Sequence, residues 1–475
     1  MSDGQDAKLL YDGDETSVSM NADNVQGDES RPRADTENTI IDETNSGFAI
    51  LRIGSWKAGA VNFAQSALGA GTLSMPYVMR RTGIVIGLLF LLFVGAVSSF
   101  TVRLLIMACN KLHVHTYEDL AEKIGGKPLR YVTAALVCLF SWGITISYVI
   151  AVGDIIHPLT KNFEHGRDFF QNKRATTVVF WGCFMLPLSL LRDITSLRYP
   201  SLFALVTLMY LILSMVIFAG TDKSAVWSDN VKYANFNVKM LEALPVLFFS
   251  YCCQCNSFEI YHEMRPGTVK RVGRAAMFAM LFATCCYGAA GVAGVAAFGD
   301  STNSDILLSY TPTDHIYMII AYLGFAFTIT FSFPVCLFPM RDAMLQVLKL
   351  GNVYTCTTIQ RIAVAGSLAA SSLLIGLFVN KIVVVFDLVG GICGSSLAFT
   401  FPAIFALKSG AVTKENSGAP FYYLLWFIFG AGIFCGLFGT GISIYSMVEP
   451  SDSNSHHHHN GTVKTNFAGF APVFN

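Results

Sequence analysis

Predominantly apolar runs of about 20 residues, the length of one helical crossing of a bilayer, recur at eleven places in this chain, separated by short polar stretches. They lie at about residues 58 to 80, 84 to 109, 130 to 157, 175 to 191, 199 to 220, 240 to 261, 275 to 298, 315 to 340, 357 to 379, 382 to 407 and 420 to 447. The fourth is the shortest. The pattern predicts an all-α integral membrane protein with eleven transmembrane helices. An odd number of crossings places the two termini on opposite sides. Between the second and third runs, Tyr117, Leu120, Ala121 and Ile124 recur at helical spacing and predict a short helix in the membrane surface.

Two of the runs carry polar or small residues near their middle. In the first, Gly69-Ala70-Gly71 leaves nothing bulky to hold the helix. In the sixth, Phe249-Ser250-Tyr251-Cys252-Cys253-Gln254-Cys255-Asn256 forms a polar patch inside an apolar span. A helix that unwinds in hydrocarbon frees N–H and C=O groups that lipid cannot satisfy, so the freed groups must line a cavity and hold a polar solute. The N-terminal end of a half-helix attracts a carboxylate, and freed carbonyls accept from an ammonium. A zwitterionic amino acid fits both ends. The competing reading of each patch is close helix packing through small residues.

Composition agrees with a membrane protein: 53% of residues are hydrophobic, 13% are charged and mean hydropathy is +0.51. Soluble domains carry roughly 25% charged residues. A formal net charge of zero gives no indication of a nucleic-acid partner. Residues 1–57 differ in kind, with twelve acidic residues against five basic ones, and read as a disordered acidic cytoplasmic tail. The tail lacks the apolar core of a signal peptide. Residues 58–447 read as the eleven-helix membrane domain and residues 448–475 as an extracellular or lumenal tail. With the N-terminus cytoplasmic, sixteen Lys and Arg fall on the inner side and eleven on the outer. Arg80 and Arg81 run against this bias. Asp300, Asp305 and Asp314 in an outer loop without Lys or Arg support it, as does the sequon Asn460-Gly461-Thr462 beyond the last span.

The twelve cysteines sit almost entirely within spans and read as packing residues, with no zinc-ligand spacing. The run His456 to His459 reads as an exposed tail. No Gly-rich phosphate loop, HExxH or nucleophile elbow is present, which argues against an enzyme and against an ATP-driven pump. No cofactor or metal is expected beyond a coupling ion. Pro245, Pro334 and Pro402 predict kinks that neighbouring helices accommodate.

The residues Asn62-Phe63-Ala64-Gln65-Ser66-Ala67-Leu68-Gly69-Ala70-Gly71-Thr72-Leu73-Ser74-Met75-Pro76-Tyr77, then Glu259-Ile260-Tyr261-His262-Glu263-Met264 and Ser332-Phe333-Pro334-Val335-Cys336-Leu337-Phe338-Pro339-Met340-Arg341, carry a resemblance. They resemble the amino acid/auxin permease family of the amino acid-polyamine-organocation superfamily. The likeness is greatest to permeases of protist parasites and more distant to sodium-coupled neutral amino acid transporters. It implies a LeuT-like fold of two inverted five-helix repeats (5+5), with the first and sixth helices broken and alternating access to a central site. It implies that Gly69, Ala70 and Gly71 meet the substrate carboxylate and that the amino group meets carbonyls near Phe249, Ser250 and Cys252, with Thr72 and Gln65 as further candidates at the substrate site. Sodium-coupled members hold the ion between the first and eighth helices, which maps to Leu68, Thr330 and Ser332. They carry Asn where this chain has Gln65, so H+ coupling, Na+ coupling and uniport all remain open.

Two intramembrane carboxylates bear on the substrate. A carboxylate in hydrocarbon costs at least ~2.5 to 3.5 kcal/mol and usually faces a cavity. Glu259 lies just past the sixth-span break and Asp387 early in the tenth span. Either pairs with a cationic substrate side chain, carries a coupled proton, or pairs structurally, Glu259 with Arg265 or a helix-loop lysine and Asp387 with Lys381. The resemblance implies a structural acid at Asp154. Together these features point to a secondary amino acid transporter, preferring arginine or lysine over neutral substrates, in the plasma membrane. A sensor signalling through the acidic tail is the reading from another class. A sensor shortened by residues 1 to 50 would still bind and lose its output, whereas a carrier would still transport.

Overall fold

The computed structural model describes residues 54–160, 171–191, 198–221, 232–264, 267–348, 356–379 and 381–448. The acidic tail before residue 54, the tail after residue 448 with its sequon and histidine run, and Arg265 lie outside the described residues. All regular structure among the described residues is helical: α1 Trp56–Ala67, α2 Met75–Thr82, α3 Ile84–Leu112, α4 Tyr117–Thr160, α5 Lys173–Phe180, α6 Leu186–Ser189, α7 Arg198–Thr221, α8 Ala243–Tyr251, α9 Ser257–Glu263, α10 Val269–Phe298, α11 Ile316–Val347, α12 Thr358–Phe378, α13 Ile382–Val389, α14 Phe401–Lys408, α15 Lys414–Ser417 and α16 Ala419–Val448.

Among the described residues, eight helices are long and apolar enough to cross a membrane: α3, α4, α7, α10, α11, α12, the continuous α13–α14 and α16. The other three expected spans are built from shorter pieces. The first is α1 and α2 joined by a 3-10 turn at Ala70–Ser74. The fourth is α5 and α6 joined by a π turn at Trp181–Met185. The sixth is α8 and α9 joined by a 3-10 turn at Gln254–Asn256. The expected surface helix is the start of α4, set off from the span by Gly126 at φ 73°, a left-handed backbone that side chains resist.

Local chemistry sets several helix starts. Ser55 accepts from the Ala58 N–H at α1, Thr268 from Arg271 at α10, and Thr357 with Gln360 forms a capping box at α12. Large apolar side chains are exposed on α3 and α16, among them Leu89, Phe93, Phe427, Phe434 and Leu437. In water such a belt is unfavourable; in lipid it is the outer surface. Inside, α10 packs against α1, α2, α3 and α7 through a seam of small residues. A Cβ at Gly294 would meet Pro76 Cγ at 2.5 Å, and one at Gly291 would meet Met79 Cγ at 2.8 Å, so α2 lies directly on α10.

Side-chain ties cross both ends of the bundle. On the near face, where α1 begins, Asn62 Nδ2 donates to Glu263 at 2.9 Å and Tyr261 Oη donates to Asn110 Oδ1 at 2.7 Å. On the far face, Arg81 pairs with Glu242 at 3.1 Å and Tyr77 Oη donates to the same carboxylate at 3.2 Å.

Candidate functional site

The two interrupted spans meet. In the first, α1 closes on Leu68, whose N–H donates to Ala64 O at 2.8 Å; Gly69 then turns out of helical geometry at φ −155°, ψ −141° before the 3-10 turn. In the sixth, α8 closes at Cys252 with ψ 83°, and Cys253 N donates to Tyr251 O at 3.0 Å. The breaks are in van der Waals contact: a Cβ on Gly71 would overlap Ser250 Oγ and lie 2.9 Å from Ser250 Cβ.

The carbonyls freed at the two breaks have one shared donor. Tyr287 of α10, fully buried, places its hydroxyl 2.5 Å from Ala67 O and 3.0 Å from Ser250 O. Ser98 of α3 donates to Tyr251 O at 2.8 Å, and Gln254 Nε2 donates to Ser98 Oγ at 3.1 Å and to Thr101 Oγ1 at 3.0 Å. Asn256 Nδ2 crosses back to Ser66 Oγ on α1 at 3.0 Å. Thus α3 and α10 hold both breaks with side-chain donors, which is how unwound backbone is tolerated at this depth.

Of the expected substrate residues, Ala70, Gly71 and Thr72 are buried in the first turn, and Gly69 and Gln65 are half-buried. The Thr72 hydroxyl is buried with no hydrogen-bond partner. Phe249 and Ser250 are buried at the end of α8 and Cys252 lies in the break itself. Phe249 stacks on Phe386 of α13 at 4.3 Å between ring centroids. Asp387 is buried in α13, and its charge acts on Tyr77. Glu259 is exposed on α9, and among the described residues the charges acting on it are three carboxylates, Glu263, Asp342 and Glu118. Of the expected ion residues, Leu68 closes α1, Thr330 donates to Ala326 O at 2.7 Å and Ser332 lies on α11, half-buried.

Sequence reasoning missed Tyr148 and Tyr287. The Tyr148 hydroxyl on α4 stands 3.2 Å from where a Cβ on Gly69 would be, beside the first break. Both tyrosines sit in apolar helices, where a phenol looks like core. A cavity of about 560 Å³ lies elsewhere, between α4, α5 and the end of α12, with Ile150, Lys173, Thr177 and Leu377 on its walls.

The model of the family described as transmembrane amino acid transporter protein matches residues 52–447. The chain is 27% identical over 390 residues to vacuolar amino acid transporter 2 of Saccharomyces cerevisiae, covering 79% of this chain and 81% of that one. It is 23% identical over 427 residues to an Arabidopsis thaliana protein named amino acid transporter AVT6E, covering 84% and 85%. A putative amino acid transporter of Toxoplasma gondii is 26% identical over 305 residues, 64% of this chain and 42% of that protein. Among solved structures, a mutant manganese transporter of Eremococcus coleocola superposes with a TM-score of 0.55 at 11% identity, covering 86% of this chain and 91% of that one. At that identity the likeness is one of fold. The span of the family match, from just before α1 to the end of α16, takes in both broken helices and every residue around them. This chain is a multi-pass membrane protein that belongs to the transmembrane amino acid transporter family.

Proposed function

We propose that this chain is a secondary transporter of amino acids, built as eleven spans in a LeuT-like 5+5 arrangement and working by alternating access at the meeting point of the two breaks. The observation that carries this is the pair of interrupted spans in contact at Gly71 and Ser250 and held by one hydroxyl of Tyr287. The buried, partnerless Thr72 hydroxyl beside Gly71 supplies a polar group for a ligand in the same place. An α-carboxylate is received by Gly69, Ala70, Gly71 and Thr72 with Gln65, and an α-ammonium by carbonyls around Phe249, Ser250 and Cys252. Coupling runs through a proton or through sodium near Leu68, Thr330 and Ser332.

The substrate in this reading is cationic, arginine or lysine. Support comes from the four carboxylates gathered on the near face, Glu118, Glu259, Glu263 and Asp342, a wall that attracts a guanidinium or ammonium side chain. Asp387 is the second candidate partner for that side chain. Glu259 is solvent-facing, so its contribution is modest. Glu259→Gln is expected to raise the apparent KM for arginine roughly three- to ten-fold, the effect of about 1 kcal/mol, and to leave alanine uptake unchanged.

The chain acts in the plasma membrane with its N-terminus cytoplasmic and its C-terminus outside, which makes the far face the outer one. Proteoliposome uptake of labelled arginine, lysine, alanine and proline, under imposed sodium and pH gradients, tests the whole reading. Saturable arginine or lysine uptake supports it, and gradient dependence names the ion. Uptake of alanine or proline alone overturns the cationic assignment. Because the yeast relative's name is vacuolar, fractionation of cells expressing the chain tests the membrane assignment directly.

A further inference from the structure

Besides Glu242, which Arg81 and Tyr77 hold, the far face has two further buried carboxyl groups among the described residues, and substrate binding uses neither. Asp154 near the end of α4 is 2% exposed, and Asp305, in the loop between α10 and α11, is 1% exposed. Asp154 Oδ1 pairs with the ammonium of Lys173 on α5. Asp305 Oδ1 accepts from Leu307 N at 2.9 Å and so caps the 3-10 turn Ile306–Leu308. The remaining oxygen of each, Oδ2, is buried and receives no donor. The 3-10 turn that Asp305 caps packs against α4, and the two carboxyl groups act on each other electrostatically. Two ionised carboxylates side by side repel, and a single ammonium leaves one excess negative charge on two buried carboxyl groups.

We propose that Asp154 and Asp305 form a proton-binding site, one proton held between their Oδ2 atoms, that fastens the α10–α11 loop to α4. Its ligand is H+ and its counterion is Lys173. The other titratable groups facing it are His157, one turn further along α4, Tyr322 of α11, whose hydroxyl donates to Leu307 O at 2.6 Å, and Tyr310 of the loop itself. Burial and the charge of Asp154 both push the Asp305 carboxyl well above the usual carboxylate range. Lys173 lines the 560 Å³ cavity and its side chain is 39% exposed, which gives the proton a route to water.

The loop fastened in this way also grips the first broken span. Ser74 Oγ donates to Ser304 O at 2.8 Å and an Arg80 N–H donates to Thr302 O at 2.5 Å. The segment from Thr302 to Leu307 therefore bridges α2, the half-helix beyond the break, and α4. When the O–H bond breaks and the proton passes to water, both carboxylates are ionised, they repel, and the bridge loosens on the α4 side. Closure of the far face is thereby linked to pH, whichever amino acid is carried.

The test uses the purified full chain. Asp305 in the folded protein keeps its proton where the unfolded chain has lost it, so stability falls as pH rises from the ordinary carboxylate value to the raised one. Asp305→Asn places an amide donor against Asp154 at every pH and removes that slope. The melting temperature of the parent relative to Asp305→Asn is expected to drop steadily as pH rises from mildly acidic to mildly alkaline. Infrared spectra provide the second readout: a protonated-carboxyl C=O band in the parent, lost in Asp305→Asn and equally in Asp154→Asn. Either variant suffices if the other does not fold. Identical pH slopes in parent and variants, a carboxyl band that survives both substitutions, or a parent whose stability follows sodium and not pH would each overturn the site.

Discussion

Gly71→Ala is expected to reduce uptake by more than ~10-fold while the protein still reaches the membrane, because the added methyl has nowhere to go. Its Cβ would overlap Ser250 Oγ and lie 3.3 Å from Ser250 Cα, so a rotamer change at Ser250 cannot clear it. Overpacking of this kind costs about 1–3 kcal/mol, and here the strain falls on the contact between the two half-helices. A fold of this size absorbs that loss; a site whose two halves must approach to close does not. Gly69→Ala is the internal comparison. Its Cβ meets only the Tyr148 hydroxyl, at 3.2 Å, and a few tenths of an ångström of movement accommodates it. The expected order of uptake is parent, then Gly69→Ala, then Gly71→Ala. Combining Gly71→Ala with Ser250→Gly removes both side-chain atoms in the way and is expected to recover part of the loss, a non-additivity diagnostic of direct contact. Parent-like uptake by Gly71→Ala would mean that the two breaks do not touch in the working transporter.

Such a contact shows what one-dimensional reasoning reaches. The first break was legible because Gly69-Ala70-Gly71 is a local anomaly in an apolar run. The structure shifts its centre to Leu68 and Gly69 and converts Ala70–Ser74 into a 3-10 turn. The sixth-span patch was legible for the same reason, and its break falls at Cys252 and Cys253, within the expected window. The long apolar runs were equally plain, since eight of the eleven are continuous helices of spanning length. What was not legible is who answers the freed backbone. Tyr287 lies 220 residues from Ala67 and Asp305 is distant in sequence from Asp154, and no local pattern announces either pairing. Helix breaks are properties of a short window, whereas their satisfaction is a property of packing. The π turn at Gly390–Gly394 shows the limit from the other side. There the small residues answer a neighbour's backbone, since a Cβ on Gly390 would run into Pro245 O of α8, and the run of glycines marks close approach and not unwinding.

Removal of the Tyr287 hydroxyl carries the second large expected effect. Tyr287→Phe keeps the ring and its edge-to-face contact with Tyr251, 5.2 Å between centroids, so the apolar packing of α10 is retained. The substitution deletes only the O–H that stands over Ala67 O and Ser250 O. A buried acceptor left without its donor costs about 1–3 kcal/mol, and here two acceptors depend on one hydrogen, one in each break. A loss of that size corresponds to roughly 5- to 150-fold in any equilibrium that requires both breaks to hold their shape. Substrate uptake at low concentration is therefore expected to fall by that factor. Stability falls as well, so the comparison that separates a site effect from a general one is Tyr251→Phe. Tyr251 is also fully buried and its hydroxyl shares a 2.8 Å hydrogen bond with Thr284, but that bond joins two side chains and touches neither freed carbonyl. Tyr251→Phe is expected to lower the melting temperature by a similar amount and to retain most of the uptake. Equal uptake losses in the two variants would reduce Tyr287 to a core residue, and a loss confined to Tyr287→Phe would show that a single phenol couples the two broken helices.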